Sequence, residues 1–138
     1  MIVTDTSAVV ALLNRRDRAH ARVREALTAT GAEWVIPWAV LPEVDHIVRR
    51  RVGAEQARAF TEALLESGPP VEWGSLSDLQ RAAELDARYT DLGLGLVDTV
   101  VMATAERLQA RAIVTLDERD FAAVELEGTP AIWPRDLD

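Results

Sequence analysis

Asp5, Glu43, Asp98 and Asp117 stand where the chain passes from an apolar run into a helix or a turn. Asp5 closes the β-branched run Met1-Ile-Val-Thr-Asp, and Asp98 interrupts Leu94-Gly-Leu-Val-Asp-Thr-Val-Val-Met-Ala, which otherwise reads as core. A carboxylate buried without a partner costs several kcal/mol or takes up a proton. The chain has no lysine, and its arginines are clustered or scattered elsewhere, so a divalent cation is the partner these acids suggest. Carboxylates are hard oxygen donors; Mg²⁺ or Mn²⁺ takes one or two of them and keeps waters that a phosphate substrate can replace. An ion held that way can polarise a phosphodiester, activate a water and stabilise the leaving oxygen. Without metal the four acids would repel one another, and at least one pKa should rise. Each has an ordinary explanation as well: a helix N-cap for Asp5, first-turn acids favoured by the helix dipole for Glu43 and Asp98, a turn residue for Asp117 as for Asp120. Jointly, in this order and context, they point to a metal site.

The elements that must position these acids follow from periodicity and punctuation. Residues 2–4 read as a short buried strand, with Thr6 or Ser7 capping a helix through Leu13. A second helix is expected over 18–30, with Asp17 as its cap and Gly31 as its stop. Residues 34–36 form a strand ended by Pro37. Leu41, Val44, Ile47, Val48 and Val52 then have helical spacing, which puts Glu43 in an opening turn where Pro42 is tolerated. Further helices are expected over 54–67 and 77–89, the latter capped by Ser77 or Asp78, with a brief strand at 71–73 between them. Gly93 and Gly95 mark a turn before a central helix over 96–109 that carries Asp98 in its first turn. A strand at 112–115, a turn over 116–121 and an edge strand at 131–133 complete the chain. Alternating strands and helices predict an α/β fold, a parallel sheet with helices on both faces, whose functional groups collect beyond the carboxyl ends of the strands. Asp5 and Asp117 fall at two such ends.

At 138 residues, about half of them apolar, the chain is read as one domain, 1–138, with one sizeable core. No window suits a membrane span and the first residues lack a signal-peptide pattern, so a soluble, cytoplasmic protein is expected. The absence of cysteine excludes disulfides, thiolate metal sites and a thiol nucleophile, and two distant histidines cannot build a histidine cage. A net charge of −8 argues against simple affinity for polyanions. All fifteen basic residues are arginine, however, and they cluster at Arg15, Arg16, Arg18, Arg22 and Arg24 and at Arg49, Arg50 and Arg51. A basic rim around an acidic pocket and plain solvated helix faces both remain open readings of these clusters.

Asp5-Thr-Ser-Ala, Pro42-Glu-Val-Asp, Leu94-Gly-Leu-Val-Asp-Thr-Val-Val-Met-Ala-Thr-Ala-Glu-Arg-Leu and Ile113-Val-Thr-Leu-Asp-Glu-Arg-Asp-Phe resemble the PIN domain of the VapC toxins of bacterial type II toxin–antitoxin systems. The resemblance spans nearly the whole chain. It implies a three-layer α/β/α sandwich and Mg²⁺- or Mn²⁺-dependent endonucleolytic cleavage of RNA, with Asp5 and Asp98 as the principal metal ligands. Glu43 and Asp117 would complete the quartet directly or through water. It also implies a polar residue beside the site, for which Thr6, Ser7 and Thr115 are candidates; Ser7 and Thr115 are expected to hold the carboxylates by hydrogen bonds. Arg15, Arg16 and Arg49 are candidate RNA contacts. A cognate antitoxin and a toxin homodimer are the implied partners, and some of the four tryptophans would anchor them. Asp91 is expected to stabilise the turn before the Asp98 helix.

Other chemistries fit less well. A haloacid-dehalogenase-type phosphatase needs an aspartate where Ser7 stands and a lysine that the chain lacks, and no Gly-Lys-Ser/Thr phosphate loop is present. His20 and His46 lie on expected helices without a nucleophile elbow. The surviving alternatives are a PIN nuclease of RNA processing and a catalytically silent PIN-like binding module.

Overall fold

Short runs of β-branched and apolar residues with no polar interruption can be satisfied only as central strands covered on both faces. The computed structural model, which describes residues 1–137, builds its sheet from such runs. Strand β1 is Ile2–Thr4, β2 Trp34–Pro37, β3 Val71–Glu72, β4 Ala112–Val114 and β5 Ala131–Trp133. All pairings are parallel, in the order β3-β2-β1-β4-β5. Ile2 lies opposite Trp34 on one side and Ala112 on the other, which fixes the register of the three central strands. The chain therefore winds outward through β2 and β3, then returns to the other side of β1. The switch point falls between β1 and β4, where an open parallel sheet leaves a crevice beyond its carboxyl ends.

The helices are α1 (Thr6–Leu13), α2 (His20–Thr28), α3 (Val40–Arg51), α4 (Ala54–Glu66), α5 (Leu76–Arg88), α6 (Gly95–Arg107) and α7 (Glu118–Ala123). Side chains alternate across the pleat. Val3, Ile113 and Ile132 enter a core with Val44 and Val48 of α3, Leu85 of α5 and Met102 of α6. Ile2, Ala112, Val114 and Trp133 enter a second core with Ala8 of α1 and Val23, Ala26 and Leu27 of α2. These are the layers of an α/β/α sandwich.

Several boundaries differ from those expected. The segment read as a turn over 116–121 contains helix α7, because Asp117 initiates a helical turn whose Phe121 amide returns to the Asp117 carbonyl. Helix α5 starts two residues earlier than Ser77 as cap would place it: Ser75 is the cap, and Asp78 is its reciprocal partner, accepting the Ser75 amide at 3.2 Å. Helix α2 begins only at His20, since Asp17 spends its carboxylate on the Ala19 amide within a turn. The cap of α1 is Asp5 rather than Thr6 or Ser7. Pro37 is the last residue of β2, so the strand ends at it as expected, one residue longer than 34–36. Asp91 lies exposed in a single 3-10 turn, Thr90–Leu92, that precedes the glycines. Gly93 and Gly95 both have positive φ, 60° and 78°, a conformation glycine adopts without strain, and they turn the chain into α6.

Candidate active site

Asp5 leaves β1 at the switch point and occupies the N-cap position of α1, yet its side chain makes no capping hydrogen bond. The carboxylate is 3% exposed and turns instead toward β4. Its Oδ2 accepts from Thr115 Oγ1 at 2.8 Å and from Ser7 Oγ at 3.0 Å, whereas Oδ1 is buried with no hydrogen-bond partner among the described residues. Burial raises the Asp5 pKa, and the two hydroxyls act in the opposite direction. The hydroxyls are themselves anchored: Ser7 Oγ accepts the Leu116 amide at 2.9 Å and Thr115 Oγ1 the Asp117 amide at 3.0 Å. One polar cluster thus ties the end of β1 to the segment after β4.

Asp98 projects from the first turn of α6 and Glu43 from the first turn of α3, while Asp117 is the N-cap of α7. The four carboxylates line one cleft of about 310 Å³, with Thr6, Ser7, Asp17, Arg51 and the apolar walls Val10, Ile47 and Leu116. Their proximity registers electrostatically. The Asp98 pKa is pushed up to about 7, first by burial and then by the negative charges of Asp5, Asp117, Glu43 and Asp120. Thr6 Oγ1 is a second buried polar atom in the cleft lining with no partner among the described residues.

The arginines singled out in the sequence are placed differently. Arg49 is exposed and pairs with Asp45 at 2.8 Å, one helical turn away. Arg16 is exposed, and Arg15 lines a separate cavity between α1 and α2. The arginine in the cleft is Arg51, at the last turn of α3. Asp17 and Asp120 are further acids of the site that sequence reasoning passed over. The spacing of Asp120, three residues after Asp117 on a helix, was the available signal.

The family model of the PIN domain matches residues 2–126. The chain belongs to the PIN-domain family. It is 28% identical over 123 residues to ribonuclease VapC26 of Mycobacterium tuberculosis, covering 89% of this chain and 91% of that protein. Its fold matches the crystal structure of M. tuberculosis VapC20, described as a sarcin–ricin-loop-cleaving toxin, with a TM-score of 0.80 and 23% identity, covering 92% of this chain and 98% of the other. It also matches DNA-bound VapBC from Salmonella typhimurium, with a TM-score of 0.69 and 16% identity over 95% of each chain.

In this PIN domain the donor set suits a hard divalent cation. Every candidate ligand is an oxygen, and the orphaned Oδ1 of Asp5 is a buried lone pair facing a shortage of donors. Among the described residues, no three Asp, Glu or His side chains are drawn together closely enough to hold one ion at once. Mg²⁺ and Mn²⁺ take one or two carboxylates directly and keep waters that other acids can reach, which this spacing allows.

Proposed function

We infer that this PIN-domain protein is the toxin of a type II toxin–antitoxin pair and an endoribonuclease dependent on Mg²⁺ or Mn²⁺. The observation that carries this reading is the convergence of Asp5, Glu43, Asp98 and Asp117 on one cleft, where burial and then the neighbouring negative charges push the Asp98 pKa up to about 7. Structural acids do not gather unpaired in this way; acids awaiting a cation do. The likeness to ribonuclease VapC26 supports RNA as the substrate.

Asp5 and Asp98 would hold the ion, with Glu43 and Asp117 completing its surroundings. The bound ion would supply Lewis-acid polarisation of the phosphate and a more acidic water. The protein's own groups do the rest. Thr115 and Ser7 fix the orientation of the Asp5 carboxylate and favour its charged form against the opposing effect of burial. Val10, Ile47 and Leu116 supply apolar walls beside the carboxylates. No side chain need act as nucleophile, and the Ser7 hydroxyl serves to hold Asp5 while accepting the Leu116 amide. Hydrolysis is then direct: water attacks phosphorus in line with the departing sugar oxygen, the phosphorus–oxygen bond breaks, and no covalent enzyme intermediate forms.

A cognate antitoxin and a second copy of the toxin are the expected protein partners. Trp38, Trp73, Leu76, Leu79 and Leu96 are all exposed, and the two indoles pack at 5.2 Å, an apolar surface of the kind that anchors protein interfaces. The chain's net charge of −8 favours a basic antitoxin. Incubating the protein with transfer, ribosomal and messenger RNA, with and without Mg²⁺, tests the nuclease; growth arrest on expression, relieved by co-expressing the adjacent reading frame, tests the toxin. A protein that cuts RNA without arresting growth would be a processing nuclease instead, and one that does neither a silent binding module.

A further inference from the structure

Outside the catalytic cleft, the largest concentration of positive charge on this acidic protein surrounds a cavity. Five of its arginines, Arg15, Arg16, Arg18, Arg22 and Arg24, fall within the α1–α2 connection and the first half of α2. Only Arg22 is ion-paired among the described residues, at 3.7 Å from Glu118. Arg15 and Arg24 line a cavity of about 640 Å³ together with His20, Thr28 and Trp34, over a floor that includes Leu27. That volume lies within the roughly 300–1,000 Å³ of small-ligand pockets. Trp34 is half-buried and packs against both cores, so its ring is held in place. His20 Nδ1 lies 3.0 Å from the Ala11 carbonyl, and since a carbonyl only accepts, this nitrogen donates. Two free guanidinium groups beside an immobilised indole suit a ligand with an anionic end and a flat aromatic end.

The cavity also adjoins the cleft. The turn between α1 and α2 presents Arg15 to the cavity and Asp17 to the cleft. It is braced internally, with the Asp17 amide on the Asn14 carbonyl at 2.9 Å, the Arg16 amide on Asn14 Oδ1 at 3.1 Å and the Ala19 amide on Asp17 Oδ1 at 2.8 Å. On the far side, the Arg22–Glu118 pair joins α2 to the residue after Asp117. Apart from Arg51 in the cleft itself, this turn and α2 after it carry the arginines of the cavity beside the acidic centre.

We propose that the α1–α2 cavity is a second RNA-binding subsite that seats one unpaired nucleotide of the substrate away from the scissile bond, with phosphate on Arg15 and Arg24 and the base against Trp34. The assignment rests on the endoribonuclease reading and extends it, because it gives an acidic protein a way to hold its polyanionic substrate outside the acid cleft. Both arginines are exposed, so replacing them leaves the core intact.

The test compares Arg15→Gln/Arg24→Gln with a charge-matched control, Arg58→Gln/Arg88→Gln, for binding of a single-stranded RNA of about 16 nucleotides by fluorescence anisotropy in EDTA. Without metal the assay reads binding alone. The cavity variant should bind about tenfold more weakly than the control, and the slope of log affinity against log salt should flatten by about 0.7, the share of one phosphate contact to a single strand. In Mg²⁺ the same variant should show raised KM with unchanged kcat on the long RNA, and unaltered cleavage of an oligonucleotide too short to leave the cleft. Equal affinities of the two variants, or no RNA binding by the unsubstituted protein, would overturn the subsite. Full RNA binding combined with lost affinity for the antitoxin would overturn it too and assign the cavity to that protein. Failure of the nuclease reading shows separately, as absence of cleavage in Mg²⁺ whatever the anisotropy reports.

Discussion

Burial and the surrounding carboxylates act together on Asp98, and the consequence has a definite sign. Its pKa lies near 7 where an ordinary aspartate sits at 3.8, so between these values the native state holds a proton that the unfolded chain has released. Stability of the metal-free protein is therefore fully present below the lower value and is lost as pH rises toward and through the higher one. Thermal melts in EDTA should show Tm falling from about pH 5 to about pH 8, more steeply for the native protein than for Asp98→Asn. At about pH 8 the variant should be the more stable of the two, by about 1 kcal/mol or roughly 3 °C after allowance for solvent screening. Equal melting profiles would show that the acids do not repel. Thr115 makes the complementary case. It is fully buried and donates to Asp5 Oδ2, so Thr115→Val removes a hydrogen bond to the charged form while keeping shape. Calorimetric Mg²⁺ affinity and cleavage should each fall by about 10–100-fold, and a valine variant with native affinity would exclude the positioning role.

At the scale of elements, the site depends on how α6 is held against its neighbours. Arg107, in the last turn of α6, grips Asp78 through Nε and Nη2 at 2.7 and 3.0 Å and reaches Glu72 of β3 at 2.7 Å. Asp78 is buried and also completes the cap of α5, so the guanidinium joins β3, α5 and α6. Arg107→Leu strands a buried carboxylate and should cost roughly 2–3 kcal/mol by urea unfolding, whereas Arg107→Lys should recover only part, lacking the two-pronged geometry. A loss below about 0.5 kcal/mol would mean the network is ornamental. The same elements show what a linear reading resolves. Helices α3 and α6 are legible because Val44, Ile47 and Val48, and the glycines before Asp98, act within a few residues. The short helix α7 is not, since six residues with one buried side chain, Phe121, carry no periodicity and owe their form to the sheet beside them. Cap positions slipped by one or two residues wherever several polar residues adjoin, as at Ser75, Ser77 and Asp78, because the choice among them is made by the tertiary partner Arg107.

For the molecule as a whole, the strand order places β1 beside β4 although about a hundred residues separate them, and that pairing brings Ser7 and Asp5 to Thr115. The alternation of strands and helices suffices to expect a parallel sheet, but the order of its strands rests on contacts that no local pattern encodes. Hence Asp5 and Asp117 could be placed at strand ends from sequence, whereas Arg51 and Asp17 enter the cleft through the packing of α1 on α3 and were not singled out. Among the described residues no helix is long and apolar enough to cross a membrane. The acidic character of the chain makes one further outcome specific. If the cleft awaits a cation, Mg²⁺ should raise Tm most where the acids are fully ionised, with stabilisation near 2.7 kcal/mol at about a hundred times the dissociation constant. The gain should shrink as pH falls through about 7, where protons compete for the Asp98 oxygens. A Mg²⁺ effect independent of pH would point to nonspecific screening.

The central claim is that the converging carboxylates form the catalytic centre, and cleavage of RNA by purified native protein and by Asp98→Asn, each in Mg²⁺ and in EDTA, tests it most directly. The native protein should cleave in Mg²⁺ alone, and the variant should lose about 10³-fold or more although its fold is intact by circular dichroism. Equal cleavage by both proteins, or cleavage that survives EDTA, would contradict it.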